Sequence, residues 1–245
     1  MSIPVKQLQL SSINSTNKSH SNPNFVITPP LQFNGNLKVK SVNIPLTSYN
    51  IDQYNNTLKV YEKITSGGAT QNNLITIPVG NYNSSNFLTA LQTGLNSAGS
   101  LYYSCTFSTF SNLVTITQSS GSFGLMTYTN SVYNELGVFD SSLNITSNST
   151  LITDAPLDLS GIKVLNICSN IPTDNSGLSQ YNVLCSVPIE ESTNTLSLFQ
   201  DDSSDYISTG LDNLNYINLE LRDSLFRKIN QKNNWSLVLN CEEEQ

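Results

Sequence analysis

The chain has 245 residues, with 11 Lys and Arg against 18 Asp and Glu, which gives a formal net charge of −7 at pH 7. So few cations cannot form the basic stripe that a nucleic-acid backbone requires, so we expect no nucleic-acid partner. Hydrophobic residues make up 38% of the chain, enough for a folded core, and no apolar run is long enough for a membrane-spanning helix.

Ser, Thr and Asn take the place of the missing charged residues, and all three favour turns and strand surfaces over helices. Residues 1–22 are predicted to be an extended arm. Alternating apolar and polar residues, interrupted by Pro, Gly or polar turns, then predict strands at residues 24–28, 37–44, 57–63 and 74–77.

One amphipathic helix is predicted next. Ser84 or Ser85 can cap its first turn, and Gly99 can end it. Residues spaced by about 3.6 positions form one apolar stripe, which predicts packing against a sheet. The stripe consists of Phe87, Leu88, Leu91 and Leu95.

Strand patterns resume after the helix and continue to the end of the chain. Residues 161–171 are apolar on both alternating faces, which predicts a central strand. A short helix is predicted over residues 130–136, and residues 141–150 are polar enough to be a connection. The predicted strands are at residues 103–107, 113–117, 123–125, 161–171, 183–189, 196–199, 206–209, 216–221 and 235–241.

These elements predict a mainly β protein. Residues 56–140 contain a strand–strand–helix–strand–strand (ββαββ) block, and the flanking segments supply about eight strands, the number in a jelly roll. We therefore predict an eight-stranded jelly-roll sandwich with an inserted small α+β unit. The expected divisions are an extended N-terminal arm over 1–22, a discontinuous jelly-roll domain over 23–55 and 141–245, and an inserted domain over 56–140.

Catalysis is not expected, first because the chain has a single histidine. His20 lies in a polar stretch and would have to serve any Ser-His-Asp or Cys-His site. A loosely ordered segment cannot hold a general base within the tolerance that catalysis needs. We predict that His20 is a solvated tail residue.

Carboxylate clusters are the next candidates for chemistry. Glu190 and Glu191 follow a strand, and alternation sends neighbours to opposite faces, which disfavours a paired acid–base site. The run Glu242-Glu243-Glu244 is predicted to be a solvated tail.

A second acidic segment partly matches a calcium-binding loop. Asp201, Ser203, Asp205 and Asp212 have the spacing of calcium ligands. Tyr206, however, stands where that loop needs Gly, and Asp212 is shorter than the bidentate Glu, so we predict a polar turn. The sequence thus predicts no enzyme, no catalytic, cofactor-binding or metal-binding residues, and no cofactor.

The four cysteines have wide spacings that match no zinc motif. They lie in strand patterns and are predicted to be small buried hydrophobic residues of a protein folded in a reducing cytosol. These residues are Cys105, Cys168, Cys185 and Cys241.

Two parts of the sequence together resemble a known family. Residues 75–82 (ITIPVGNY), the helix, the 103–117 hairpin and residues 135–138 (ELGV) are similar to a Pro-x-Gly-Asn-Tyr, helix, hairpin, Leu-Gly-Phe pattern in structural proteins of eukaryotic DNA viruses. Residues 214–241 contain NYINLELRDS, a basic loop and NWSLVLNC. They resemble the closing strand pair of the penton, or minor capsid, proteins of virophages and Polinton-like viruses.

The resemblance implies a single jelly-roll capsid protein that forms homopentamers at icosahedral vertices and abuts hexamers of the major capsid protein. It implies a place in the virion after synthesis in the host cytoplasm. Because MSIPVKQLQLSS lacks the continuous apolar core of a signal peptide, secretion through one is not expected. Residues 1–22 would be an inward-facing or neighbour-contacting arm, and residues 56–140 would face outward, where they could meet a host receptor.

The alternative interpretation is a spike, fibre, or receptor- or glycan-binding β-module. Its site would consist of aromatic residues in loops, each of which could equally be a packed or ordinary surface tyrosine. The candidates are Tyr49, Tyr54, Tyr82 and Tyr181.

Overall fold

The computed structural model describes residues 5–46, 48–64, 68–126, 128–139, 149–173, 181–189, 196–203 and 205–243. Strands dominate these residues, as the sequence predicts. In chain order they are β1 (Val5–Ser11), β2 (Asn24–Gln32), β3 (Asn36–Pro45), β4 (Thr57–Lys63), β5 (Thr70–Thr76), β6 (Tyr103–Phe107), β7 (Val114–Gln118), β8 (Ser122–Met126), β9 (Thr150–Ile152), β10 (Val164–Ser169), β11 (Asn182–Pro188), β12 (Leu196–Gln200), β13 (Ile207–Ser208), β14 (Asn213–Arg222) and β15 (Ser236–Glu242). The α-helices are α1 (Ser84–Ala98) and α2 (Tyr133–Leu136), and a 3-10 turn covers Ser12–Asn14.

The chain divides into two compact units. Unit 1 consists of Met1–Ser48 and Ile162–Gln245, and unit 2 is the intervening segment Tyr49–Gly161. The sequence predicts an inserted unit over 56–140, and the structure sets its limits further out. Unit 2 extends further because Ile51, in an isolated β-bridge, and Leu151, in the short strand β9, belong to its core. Both residues lie in mostly polar parts of the sequence, so no strand pattern marks them.

Unit 1 contains two antiparallel sheets. One has the order β1-β15-β3-β12, with β13 also paired to β3, and the other has the order β11-β10-β14-β2. Their apolar faces share one core, to which β15 contributes Leu237 and Leu239 and β14 contributes Leu219 and Leu221. Strand β10 lies between two neighbours and buries both faces, as its double-sided apolar pattern predicts.

The path of the chain through these two sheets is that of a jelly roll. Successive strands of unit 1 cross from one sheet to the other, apart from the β10–β11 hairpin and from β12 and β13, which both pair with β3. The predicted count of eight strands differs from the structure, because the described residues of unit 1 contain nine. The additional strand is β1, whereas the strand predicted at residues 206–209 is β13, which shares the neighbour β3 with β12.

The extended arm predicted over residues 1–22 is not what the structure shows. Val5–Ser11 pairs along its whole length with β15, and Leu10 enters the core. The alternation of Leu8 and Leu10 with Gln7 and Gln9 is the signal that marks this strand. This signal is short, and the mostly polar residues 11–22 that follow it favour a loosely ordered segment.

Unit 2 contains two three-stranded sheets, β5-β4-β8 and β6-β7-β9, with α1 packed against strands of both sheets. Beyond the predicted ββαββ block, the third strands are β8, which the sequence predicts at residues 123–125, and β9, which it does not predict. The apolar stripe of α1 is buried as predicted, and Gly99 follows its last turn. The cap is Asn83 rather than Ser84 or Ser85: its side-chain Oδ1 accepts a hydrogen bond from the N–H of Asn86 at 2.9 Å.

Candidate functional site

His20 is held in place rather than solvated in a tail, which corrects the prediction. Its Nδ1 lies 3.2 Å from the Oγ of Ser12, and its carbonyl accepts a hydrogen bond from the indole N–H of Trp235 at 2.6 Å. Ser12 is buried, and its Oγ also accepts the backbone N–H of Trp235. A buried hydroxyl already engaged in this way is a structural link between the Ser12–Asn14 turn and Trp235, the residue before β15, and not an exposed nucleophile.

The acidic segment with calcium-like spacing faces two lysines. The Nζ of Lys38 lies 3.6 Å from Oδ2 of Asp201 and also donates to the carbonyl of Ser203, while the Nζ of Lys40 lies 2.5 Å from Oδ1 of Asp202. These ammonium groups supply the positive charge that a cation would otherwise bring. Among the described residues, no group of three or more His, Cys, Asp or Glu side chains could hold a metal ion.

The pKa values of the two carboxyls reflect these contacts. A hydrogen bond from the backbone N–H of Ser203, followed by its hydroxyl and by Lys38, holds the pKa of Asp201 below its ordinary value. The hydrogen bond from Lys40 likewise lowers the pKa of Asp202. The segment fastens the edge of the unit 1 sheet, as a polar turn with ion pairs.

The other predicted acidic groups do not assemble into a described site. Glu190, Glu191 and Glu244 lie outside the described residues. Glu242 accepts hydrogen bonds from the side-chain amides of Asn34 and Asn36, and Glu243 forms a 3.6 Å ion pair with Lys6.

All four cysteines are free thiols in strands, as predicted. Burial raises the pKa of Cys168 and Cys241 to about 11 and that of Cys105 and Cys185 to about 12. Thiols with such pKa values remain protonated near neutral pH, so they are poor nucleophiles and poor metal ligands.

The Gly80-Asn81-Tyr82 motif closes unit 2. The Oδ1 of Asn81 accepts the backbone N–H of Asn50 at 3.1 Å, and Oδ1 of Asn50 accepts the N–H of Tyr82 at 2.9 Å. The side-chain amide of Asn50 donates to the carbonyls of Tyr82 and Leu159, so it ties together the first and last residues of the unit. The motif is therefore structural.

A buried carboxylate, that of Glu62 on β4, lies at the centre of a second network in unit 2. It accepts hydrogen bonds from the backbone N–H of Ser100 at 2.8 Å, from the side chain of Asn73 at 3.0 Å and from the hydroxyl of Tyr103 at 2.7 Å. Burial, and then Glu62 itself, raises the pKa of Tyr103, which keeps that hydroxyl a donor. A Cβ at Gly99 would overlap the carboxylate, so a glycine is required at the end of α1.

The four candidate tyrosines have different surroundings within their units. In unit 2, the Tyr82 hydroxyl donates to the carbonyl of Pro78 at 2.7 Å, and its ring meets Phe87 edge-on. In unit 1, Tyr181 stacks on Phe226 and on the guanidinium of Arg222, 3.8 Å from the ring centroid. Tyr82 and Tyr181 therefore have packing roles in different units. Tyr49 is exposed and Tyr54 half-buried, both in unit 2.

Arg222 anchors a charged cluster that sequence reasoning missed. Its guanidinium forms a 2.5 Å ion pair with Glu220, which also pairs with Lys228, and it donates to the carbonyl of Phe226. Arg227 pairs with Asp223 at 2.6 Å. The basic loop between β14 and β15 is thus folded back on acidic residues of β14 and of the turn after it, which leaves little positive charge for a polyanionic ligand.

In the part of the chain that the structure describes, no helix is long and apolar enough to cross a membrane.

Comparison with known proteins identifies a matching family model and solved structures that are similar to this chain. The model of a family described as "Family of unknown function (DUF5901)" matches residues 29–219. No curated protein matches the chain. A crystal structure of the selenomethionine-labelled mavirus penton protein is similar with a TM-score of 0.53 and 16% sequence identity, over 98% of this chain and 100% of that chain.

The resemblance to pentons is therefore confirmed as a likeness of fold. The flagellar cap protein FliD D2-D3 domains from Escherichia coli also match over 98% of this chain and 100% of that chain, at 11% identity and a TM-score of 0.23.

Proposed function

We propose that this chain, which belongs to the family of unknown function DUF5901, is a structural protein of a viral capsid. The observation that carries the proposal is the likeness of fold to the mavirus penton protein, which extends over nearly all of both chains. It covers both units, so the inserted unit 2 is included in the likeness as well as the jelly roll.

Buried polar networks within each unit support a structural role. The buried polar groups described above connect strands and chain segments within one unit: Ser12 with His20, Asn50 with Tyr82, and Glu62 with Ser100. Such networks rigidify a fold because each buried polar group has a partner. A capsid protein needs this rigidity more than it needs mobile loops.

More specifically, we propose a penton-type minor capsid protein that forms homopentamers at the icosahedral vertices. Its neighbours there would be hexamers of a major capsid protein, and its location would be the virion. A ring of this kind requires two different surfaces on each chain, because its contacts are heterologous. The part of the interface that excludes water should be apolar and its rim polar.

Val5–Ser11 is not part of a contact arm in this proposal, because as β1 it belongs to the sheet of its own subunit. Unit 2 remains the candidate for the outward-facing part, since it is a separate compact unit inserted between β3 and β10. A host receptor would meet the virion there.

The experiment is a mass measurement by light scattering across a series of protein and salt concentrations, followed by negative-stain imaging of any oligomer. A fivefold ring of about 135 kDa, five times the 26.9 kDa chain, is the expected result. A stable trimer would contradict the penton proposal and favour the spike or fibre alternative. Salt dependence separates charge-driven from apolar association.

A further inference from the structure

Unit 2 carries a long stretch of sequence without charge. Residues 64–134 contain no Asp, Glu, Lys, Arg or His. They include all of α1 and strands β5, β6, β7 and β8. A surface built from these elements neither attracts anions nor repels neutral ligands, and its polar groups are hydroxyls and amides.

One face of the β6-β7-β9 sheet concentrates these hydroxyls. Alternate residues of each strand point toward the core of unit 2, among them Tyr103, Ile116 and Leu151. The residues between them point away from the core. We call this the hydroxyl face, and it consists of Ser104, Thr106, Thr115, Thr117, Thr150 and Ile152.

Strand register arranges the hydroxyl face as two rows. Ser104, Thr117 and Thr150 lie side by side across the three strands, and so do Thr106, Thr115 and Ile152. Adjacent strands are about 4.8 Å apart, roughly the length of one pyranose residue in an extended glycan chain. Thr117 donates a weak hydrogen bond to the carbonyl of Ser104 at 3.4 Å. The remaining four hydroxyls form no hydrogen bond within the described residues, so they can donate to and accept from a ligand.

Exposed aromatic rings stand at both ends of the hydroxyl face. The N–H of Ser119 donates to the carbonyl of Tyr102, so the hydrogen-bonded pairing of β6 with β7 extends by one residue. Tyr102 and Ser104 are two residues apart along this extended strand and therefore point to the same side. Its side chain is 67% exposed. At the other end, the β6–β7 turn carries Phe110, which is 100% exposed. Each ring therefore offers an accessible apolar face beside the rows of hydroxyls.

From this arrangement we propose that the hydroxyl face, with Tyr102 and Phe110, binds an uncharged glycan chain. A pyranose offers an apolar C–H face that stacks on an aromatic ring and hydroxyls that exchange hydrogen bonds with Ser and Thr. A protein partner would require an apolar interface core, and five of the six side chains of the face carry hydroxyls. The proposal does not depend on capsid assembly.

The same residues argue for neutral rather than anionic sugars. No cation lies on the face or elsewhere in residues 64–134, so a sialylated or sulfated glycan would find no counter-charge there. The carboxylate of Asp154, two residues beyond Ile152, is exposed. It can accept hydrogen bonds from sugar hydroxyls, and it repels anionic groups.

The test presents the full-length chain to an array of neutral, sialylated and sulfated oligosaccharides. Saturation-transfer NMR with the neutral oligosaccharides follows, because it detects millimolar binding. We expect binding to neutral structures built from hexoses and N-acetylhexosamines. No signal in either measurement, or a preference for sialylated or sulfated glycans, would overturn the proposal.

Variants then locate the binding. Tyr102→Ala should weaken it about tenfold or more, since a lost aromatic stacking partner costs roughly 1.4 kcal/mol, and Thr117→Lys should abolish it by blocking the face. The controls are Tyr128→Ala, an exposed tyrosine that follows β8, and Asn72→Lys, on β5 of the other sheet. Circular dichroism verifies that each variant is folded. Binding that survives Tyr102→Ala and Thr117→Lys unchanged would also overturn the proposal.

Discussion

At the scale of single residues, the most constrained group in the described chain is the carboxylate of Glu62. It is fully buried and accepts hydrogen bonds from three different segments: β5, the end of α1 and β6. An acceptor in this position is needed because the hydroxyl of Tyr103 is buried and the backbone N–H of Ser100 lies beyond the last turn of the helix. Sequence reasoning missed the network. Alternate residues of a strand share a face, so Glu62 is expected on the same face as Val60, but this pattern does not identify the groups that bind the Glu62 carboxylate.

Glu62→Ala should destabilise unit 2 by about 3 kcal/mol, because it leaves buried donors without an acceptor. Urea unfolding followed by far-ultraviolet circular dichroism, which reports α1, measures the change. Trp235 belongs to the core of unit 1, so its fluorescence follows that unit separately. The matched control is Glu243→Ala, which removes an exposed ion pair and should cost less than about 1 kcal/mol. Equal losses for the two variants would contradict the role of Glu62.

Gly137→Ala should destabilise the protein by about 2–4 kcal/mol for two reasons. The φ of Gly137 is +82°, in the left-handed region, and a Cβ at this position would overlap the carbonyl oxygen of Ala155. Gly210→Ala is the control, because its φ is +64° but nothing lies within 4 Å of its Cβ. Strain alone should cost that variant about 1 kcal/mol. Thermal unfolding of both variants provides the comparison, and a smaller loss at Gly137 than at Gly210 would refute the steric argument.

The thiols should be unreactive in the folded protein. With pKa values of about 11 to 12 they are almost wholly protonated at pH 8, so alkylation should be about 100-fold or more slower than for a free cysteine. Mass spectrometry after iodoacetamide treatment, with and without urea, measures this difference. Rapid labelling of any one cysteine in the native state would show that its thiol is not buried.

At the scale of elements, the edge formed by β12 and β13 depends on charge. Its connection carries Asp201 and Asp202, whose pKa values are lowered by their contacts with Ser203 and with Lys40. A carboxyl with a lowered pKa contributes stability at pH values above its pKa in the unfolded chain, about 4, and loses that contribution as the pH falls through its folded-state pKa.

Acid should therefore loosen this edge below about pH 4. Hydrogen exchange of the backbone amides in β12 and β3, corrected for the intrinsic pH dependence of exchange, should show lower protection at pH 3 than at pH 6. Asp201→Asn should reduce this pH dependence. An unchanged pH dependence in the variant would show that the carboxyl of Asp201 does not contribute.

Whether an element could be predicted from the sequence depends on its length and on how regularly its apolar residues recur. Helix α1 and the strands β6, β7 and β15 carry strong patterns and were correctly predicted. The strands β1 and β9 were missed because each is bordered by polar residues. The cap at Asn83 was missed for a different reason: three consecutive residues, Asn83, Ser84 and Ser85, can all cap a helix, and only the structure distinguishes them.

At the scale of the whole molecule, the jelly-roll class follows from strand count and turn spacing, whereas strand order does not. β14 and β15 are consecutive in the chain but belong to opposite sheets. Their order depends on long-range pairing, such as that of β15 with both β1 and β3, which no local pattern encodes. The hydroxyl face could not be predicted either, since it requires the register of β6, β7 and β9 and the third of these was not recognised.

The central claim is that this chain occupies capsid vertices. Cryo-electron microscopy of purified virus particles that contain the chain, with averaging at the fivefold axes, tests it most directly. We predict that the β-sandwich of unit 1 fits the vertex density in five copies. Particles that contain the chain but whose vertices are built from another protein would contradict the claim.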